Sequence, residues 1–128
     1  MILVTGGAGY IGSHTCVALA AAGEPYLVLD NFDNSRHSVL DRVGRITGTV
    51  PQYVEGDVRD GALLERVFAQ YPVTAVVHFA ALKAVGESVR EPLRYYDNNV
   101  TGTLTLLRAM QAAQVRSLAC GLAAAGVQ

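Results

Sequence analysis

The chain of 128 residues has no tryptophan, only one lysine and only two cysteines. Cys16 and Cys120 are too few and too far apart for a disulfide framework or a zinc site. Ten basic and eleven acidic residues give a net charge of -1, so no long-range field would attract nucleic acid or an anionic membrane. Because Gly, Asp or Arg interrupts every apolar stretch before about 20 residues, no segment is predicted to cross a bilayer. These shortages favour a reduced, cytoplasmic chain without nucleic-acid, membrane or metal partners.

The chain has 51% hydrophobic residues and enough length for one domain, since domains usually hold about 100–200 residues. The apolar run at 2–4 has no basic residues before it and leads directly into Thr5, which is not typical of a secretion signal. A single globular domain is therefore expected.

Short apolar runs alternate with longer segments of helical period. The runs occupy residues 2–4, 26–29, 52–55 and 73–79, and helices are predicted over 11–22, 38–45, 62–70 and 92–113. Asp60 is placed to cap the third helix, and Gly23 to end the first. The alternation predicts an α/β fold: a Rossmann-like parallel sheet with helices on both faces, truncated near the fifth strand.

The fourth predicted helix has apolar residues at three- and four-residue spacing. They are Leu93, Tyr96, Val100, Leu104, Leu107 and Met110. Such a stripe is typical of a helix that faces the core. Asn98 and Asn99 form helices poorly, so their place in mid-helix hints that an amide side chain faces a crevice.

The strongest local motif is Thr5-Gly6-Gly7-Ala8-Gly9-Tyr10-Ile11-Gly12, between the first strand and the first helix. Glycines at such a junction permit a tight turn and let backbone N–H groups approach a pyrophosphate, while the helix N-terminus favours negative charge. The spacing is G-x-x-G-x-x-G, and the alternative for such a pattern alone is a tight turn with no ligand.

An acidic residue at the end of the second run strengthens the dinucleotide interpretation. Asp30 follows Gly12 by eighteen residues, where the fingerprint requires a carboxylate for the adenosine ribose hydroxyls. That carboxylate would repel a 2′-phosphate, and no arginine is adjacent to neutralise one. The site is therefore expected to prefer NAD over NADP.

Two further residues have weaker support. Asp57 ends the third run, where its carboxylate either accepts a hydrogen bond from an adenine amino group or caps the next helix. Spacing alone does not distinguish these two interpretations. Lys83, the one lysine, lies in a small-residue loop after the fourth run and offers a charge to phosphate, with a solvated surface lysine as the alternative. His14, His78 and Cys16 are interpreted as packed or locally hydrogen-bonded.

Several strings together resemble the UDP-glucose 4-epimerases, which are extended short-chain dehydrogenases/reductases. The strings are residues 4–14, 29–31, 54–57, 78–88 and 92–100, and the resemblance covers roughly residues 1–118. It implies an NAD-binding Rossmann domain over 1–118, with a divergent tail over 119–128. It also implies a UDP-sugar substrate and a homodimer in full-length family members. The NAD contacts that it implies are Gly6, Gly9, Tyr10, Ile11, Gly12, Asp30, Asn31, Asn34, Ser35, Asp57, Val58, Phe79, Ala80, Ala81, Leu82, Lys83 and Asn98.

The catalytic pattern of that family is missing. Its members use a Tyr-x-x-x-Lys base and a Ser/Thr hydroxyl from the fifth strand, whereas the only lysine here, Lys83, has Phe79 four residues before it. Residues 119–128 contain no hydroxyl side chain. No catalytic residue is therefore assigned, and the abrupt departure near 118 suggests a frameshift, a premature stop or a gene-model error. A non-catalytic binding or interaction module, and a chain that scarcely folds alone, stay open as alternatives.

Overall fold

Five parallel strands form the centre of the molecule. The computed structural model describes residues 1–80 and 89–121. The strands are β1 (Ile2–Thr5), β2 (Tyr26–Asp30), β3 (Tyr53–Glu55), β4 (Ala75–His78) and β5 (Ser117–Cys120), in the order β3-β2-β1-β4-β5. Val4 of β1 lies opposite Val28 of β2 and Val77 of β4. The predicted Rossmann-like parallel sheet is confirmed, and the order reverses between β1 and β4, where ligands bind in such folds.

The helices connect these strands. They are α1 (Tyr10–Ala21), α2 (Ser38–Thr47), α3 (Gly61–Gln70), α4 (Pro92–Tyr96) and α5 (Gly102–Ala112), with a π-helical turn (Asp97–Thr101) between α4 and α5. The Asp60 carboxylate accepts a hydrogen bond from the Leu63 amide and caps α3, as predicted. Gly23, with φ of 72°, ends α1. The Gly23 amide donates to the Ala20 carbonyl, and the Glu24 amide donates to the Leu19 carbonyl.

The sheet buries apolar side chains on both faces. Leu3, Leu27 and Leu29 point to the face that α3 and α5 cover, together with Leu64 and Leu106. Val4 and Val28 point to the opposite face, which α1 and α2 cover through residues such as Cys16 and Leu40. Both faces are thus covered by helices, as expected when consecutive side chains of a buried strand are all apolar. No helix among the described residues is long and apolar enough to cross a membrane.

The prediction that the stripe on the fourth helix faces the core was wrong for all but its last member. Leu93, Tyr96, Val100, Leu104 and Leu107 are exposed, by 82% at Leu93 and 66% at Tyr96, and only Met110 is buried. The buried face consists of Tyr95, Gly102, Leu106, Ala109 and Met110. At Gly102 an added Cβ would lie 2.8 Å from a methyl of Val58, so the smallest residue permits the closest approach. The packed face thus combines two small residues, Gly102 and Ala109, with the large residues Tyr95, Leu106 and Met110.

Candidate functional site

The glycine-rich turn between β1 and α1 is packed against the end of β4. Gly6 has φ of 71°, and a Cβ there would lie 2.7 Å from the Phe79 carbonyl carbon and from the Ala80 nitrogen. A Cβ on Gly12 would lie 2.2 Å from the Gly6 carbonyl oxygen. Neither position can hold a side chain without moving backbone. Gly6 is therefore required for the turn to lie this close to the end of β4, and Gly12 for it to lie this close to α1.

The N-terminus of α1 is open to an anion. Its N-cap is Gly9, which has no side chain to bond the first amides, and the first turn holds no acidic residue. The free N–H groups and the helix dipole favour negative charge here. Tyr10 and Ile11 are exposed beside this turn, by 78% and 38%. This uncapped helix N-terminus lies at the carboxyl end of β1, where the sequence predicts a pyrophosphate.

Asp30, at the end of β2, connects the glycine-rich turn to the next loop. Its side chain is buried, and Oδ2 accepts a hydrogen bond of 3.0 Å from the Ala8 amide. Oδ1 accepts from the Phe32 amide at 2.9 Å and from the Ser35 hydroxyl at 3.2 Å. The carboxylate therefore fixes both loops that border the carboxyl end of β2.

The loop after β2 carries the predicted contacts Asn31, Asn34 and Ser35. Asn31 and Asn34 are exposed, and the Asn31 side-chain oxygen accepts a hydrogen bond from the Asp33 amide. Phe32 has φ of 56°, and its ring stacks on His37 with centroids 3.7 Å apart. The Tyr53 ring packs edge-on against both rings. Glu55 Oε1 lies 2.9 Å from His37 Nε2. This aromatic group holds the loop over the edge of the sheet.

Asp57, after β3, is part of an ion-pair network. Arg59 donates to both of its carboxylate oxygens, Nε to Oδ1 at 3.0 Å and Nη2 to Oδ2 at 2.7 Å, and Nη1 of the same guanidinium bonds Asp97 at 2.6 Å. These Arg59 hydrogen bonds hold the pKa of the Asp57 carboxyl below its usual range. Of the two interpretations of Asp57, the capping one does not hold, because Asp60 caps α3.

A buried polar chain connects β1, β4 and the π-helical turn. The Thr5 hydroxyl lies 2.6 Å from His78 Nδ1, and His78 Nε2 lies 3.2 Å from the Thr103 hydroxyl. Thr103 donates to the Asn99 carbonyl at 2.6 Å, which requires its oxygen to accept from His78 Nε2–H. Because Nδ1 then accepts from Thr5, these bonds select the Nε2–H tautomer of His78. The prediction of a hydrogen-bonded rather than catalytic histidine agrees with this environment.

Most predicted contacts lie at the carboxyl ends of the parallel strands. Gly6, Gly9, Tyr10, Ile11 and Gly12 follow β1, and the loops after β2, β3 and β4 contribute the others. Asn98 lies in the π-helical turn, and its amide donates to the Asn99 side chain. The Val58 side chain is buried in the core, so any contact from this residue would involve its backbone. Ala81, Leu82 and Lys83 lie outside the described residues.

Sequence reasoning missed Ala8, Arg59 and Asp97. Ala8 donates to Asp30 through its backbone, which any residue type could do. Arg59 and Asp97 are 38 residues apart, so no local pattern connects them. Within residues 1–80 and 89–121, no group of three or more His, Cys, Asp or Glu side chains could hold a metal ion.

Comparison with known proteins supplies independent information. The sequence model of the NAD dependent epimerase/dehydratase family matches residues 2–124. The chain is 60% identical over 117 residues to a UDP-glucose 4-epimerase of Yersinia pestis, covering 91% of this chain and 35% of that protein. It is 52% identical over 116 residues to a UDP-glucose 4-epimerase of Klebsiella pneumoniae, covering 91% of this chain and 84% of that protein.

Solved structures give the same result. A UDP-glucose 4-epimerase of Bifidobacterium longum, in complex with NAD+ and UDP, superposes with a TM-score of 0.92 at 48% identity, covering 96% of this chain and 37% of that one. Apart from the Klebsiella protein, the chain spans about a third of the length of these relatives.

Proposed function

The chain belongs to the NAD dependent epimerase/dehydratase family, and from that premise we propose that it is the NAD-binding part of a UDP-glucose 4-epimerase. The observation that carries the proposal is the turn after β1. At Gly6 and Gly12 an added Cβ would meet backbone atoms, and the adjoining helix N-terminus has no side-chain cap. A diphosphate fits such a turn through backbone N–H groups and the helix dipole.

The residues proposed to hold NAD follow from their places around that turn. Gly6, Gly9, Tyr10, Ile11 and Gly12 would surround the pyrophosphate. The loop with Asp30, Asn31, Asn34 and Ser35 would receive the adenosine ribose, and Asp57 and Val58 the adenine. Phe79, Ala80 and Asn98 would continue the site toward the nicotinamide, with Ala81, Leu82 and Lys83 assigned by resemblance alone.

The activity of the whole protein is proposed as the interconversion of UDP-galactose and UDP-glucose. Hydride exchange with C4 of the sugar is the chemistry that a bound dinucleotide supplies. The residues of this chain would bind and orient the cofactor, since its 128 residues contain no Tyr-x-x-x-Lys pair to move the hydroxyl proton. The purified 128-residue chain is therefore expected to convert no UDP-galactose above a host-extract control, and clear turnover would contradict the assignment.

Binding of NAD and NADP to the purified chain, measured by calorimetry, tests the cofactor. NAD should bind more tightly, because the Asp30 carboxylate would repel a 2′-phosphate. Asp30→Asn should reduce this preference, while Asp41→Asn, at an exposed position on α2, should leave it unchanged. Circular dichroism must confirm that each variant is folded. A folded wild-type chain that binds neither dinucleotide would refute the proposal.

Domain extent, self-association and location complete the proposal. We assign residues 1–118 to the NAD-binding domain and 119–128 to a divergent tail; the first two tail residues still belong to β5.

The exposed stripe on α4, the π-helical turn and α5 supports a homodimer, because adjacent exposed apolar residues commonly mark an interface. Leu104→Glu should then shift the chain toward monomer in light scattering, and an unchanged mass would count against this surface. The exposed free thiol of Cys120 fits the reducing cytoplasm.

A further inference from the structure

Both oxygens of the Asp57 carboxylate are held by one guanidinium. Oδ1 accepts from Arg59 Nε at 3.0 Å and from the Arg59 amide at 2.9 Å. Oδ2 accepts from Arg59 Nη2 at 2.7 Å. Two parallel N–H···O bonds from one planar, charged group orient the plane of the carboxylate and stabilise its ionised form. Asp57 is therefore ionised and rotationally fixed.

The fourth donor to this carboxylate is much weaker. Asn31 Nδ2 lies 3.4 Å from Oδ2, near the limit for a hydrogen bond. A carboxylate has about four lone-pair positions, and Arg59 occupies three of them. The position that Asn31 fills so loosely is the one that a better donor could take.

Arg59 is itself held in place from the other side. Its Nη1 bonds Asp97 Oδ2 at 2.6 Å, in the π-helical turn that carries Asn98. The Arg59 side chain is 39% exposed and that of Asp57 25% exposed, so the ion pair is partly accessible from the surface. The guanidinium thus connects the loop after β3 to the helix that follows β4.

We propose that Arg59 is a positioning residue that makes the site select adenine over hypoxanthine, the adenine amino group replacing the Asn31 amide at Asp57 Oδ2. The inference rests on the proposed NAD-binding function. Adenine presents an N–H donor at its sixth position, whereas hypoxanthine presents a carbonyl oxygen, which a fixed carboxylate repels. A carboxylate free to rotate could turn away from that oxygen and would discriminate less.

The test compares NAD with its hypoxanthine analogue, deamino-NAD, by calorimetry. A hydrogen bond to a charged acceptor should make the wild-type chain prefer NAD by roughly 10- to 100-fold. Arg59→Lys keeps the charge but loses the planar pair of donors, so the preference should fall to within about threefold. Arg66→Lys, at an exposed position on α3, is the matched control.

The outcomes separate the two claims. A folded wild-type chain that binds neither dinucleotide refutes the proposed function. Wild-type binding of NAD and deamino-NAD with equal affinity refutes the inference alone, and so does an Arg59→Lys chain that keeps the full preference. Equal loss of affinity for both dinucleotides would make Arg59 merely structural and also refute it. If Arg59→Lys does not fold, Arg59→Gln is measured and judged by the same criteria.

Discussion

Replacing Gly12 by alanine tests whether the turn after β1 must touch α1 so closely. The new Cβ would lie 2.2 Å from the Gly6 carbonyl oxygen and 2.9 Å from Gly7 Cα. Both are backbone atoms, which cannot rotate away as a flexible side chain would. The turn and the helix N-terminus would have to separate by about 1 Å to reach an ordinary contact distance. Overpacking of this kind costs about 1–3 kcal/mol, and the rigid neighbours favour the upper part of that range.

A gain from helix propensity offsets part of this loss. Alanine is better than glycine inside a helix by about 1 kcal/mol, which leaves a net loss of about 2 kcal/mol for Gly12→Ala. With a urea m-value of about 2 kcal/mol/M, the unfolding midpoint should fall by about 1 M. NAD affinity should fall as well, since the displaced turn no longer presents its amides to the pyrophosphate.

Gly61→Ala is the matched control, because Gly61 also lies in the first turn of a helix. Its added Cβ would meet nothing closer than the Thr105 methyl, at 3.5 Å. This variant should gain about 0.5 kcal/mol and leave NAD affinity unchanged. Urea titration followed by circular dichroism gives both midpoints. If Gly12→Ala unfolds at the wild-type midpoint or above it, the close contact is not structurally required and the reasoning fails.

Three further predictions concern buried and charged side chains. Burial raises the pKa of the Cys16 thiol to about 12, so a thiol reagent should label the exposed Cys120 in the native chain and Cys16 only after unfolding; equal rates would contradict this. Because Cys16 ionises more readily when unfolded, stability should also fall as the pH rises from about 9 toward 12. The pKa of Asp57 is lowered, chiefly by its Arg59 hydrogen bonds, so its stabilisation is present above the unfolded pKa of about 4. That stabilisation should be lost as the pH falls through the lower folded pKa, and Asp57→Asn should remove this part of the acid titration of stability. Leu106→Ala, at a fully buried position, should lower the free energy of unfolding by about 2–5 kcal/mol. Leu104→Ala, at a position 49% exposed, should cost less than about 1 kcal/mol. Similar losses at both positions would contradict the assignment of Leu106, and not Leu104, to the buried face of α5.

Features set by neighbouring residues were predictable from the sequence. Asp60 caps α3 because its carboxylate reaches an amide three residues ahead, and Gly23 ends α1 because it adopts a positive φ. β1, β2 and β4 could be found for a similar reason, since a strand covered on both faces is a short, continuous apolar run. The exposed β5 was not among the predicted runs. Each of these signals depends on only a few adjacent positions.

Features set by distant contacts were not predictable. The helical segments over 92–113 are apolar on two sides, and the large residues on one side suggested the wrong buried face. The packed side carries the buried Leu106, Ala109 and Met110, and Gly102, whose small size lets α5 approach Val58 in the loop after β3. Periodicity measures hydrophobicity and not available space, so it could not distinguish the two faces. The Arg59 network escaped prediction for a related reason, because Asp97 becomes its partner only once α3 and α5 lie side by side.

The Asp30 carboxylate contributes both to stability and to the proposed cofactor preference, so Asp30→Asn changes the two together. Its carboxylate already accepts hydrogen bonds from Ala8, Phe32 and Ser35, so about one acceptor position remains for a ribose hydroxyl. Asp30→Asn would replace an acceptor oxygen by an N–H donor facing one of these groups, and should destabilise the chain even without NAD. Ser35→Ala removes a single donor and leaves the charge, so it should lower stability less and keep the preference for NAD over NADP. If Ser35→Ala abolished that preference, the orientation of the carboxylate, and not its charge, would be what excludes the 2′-phosphate.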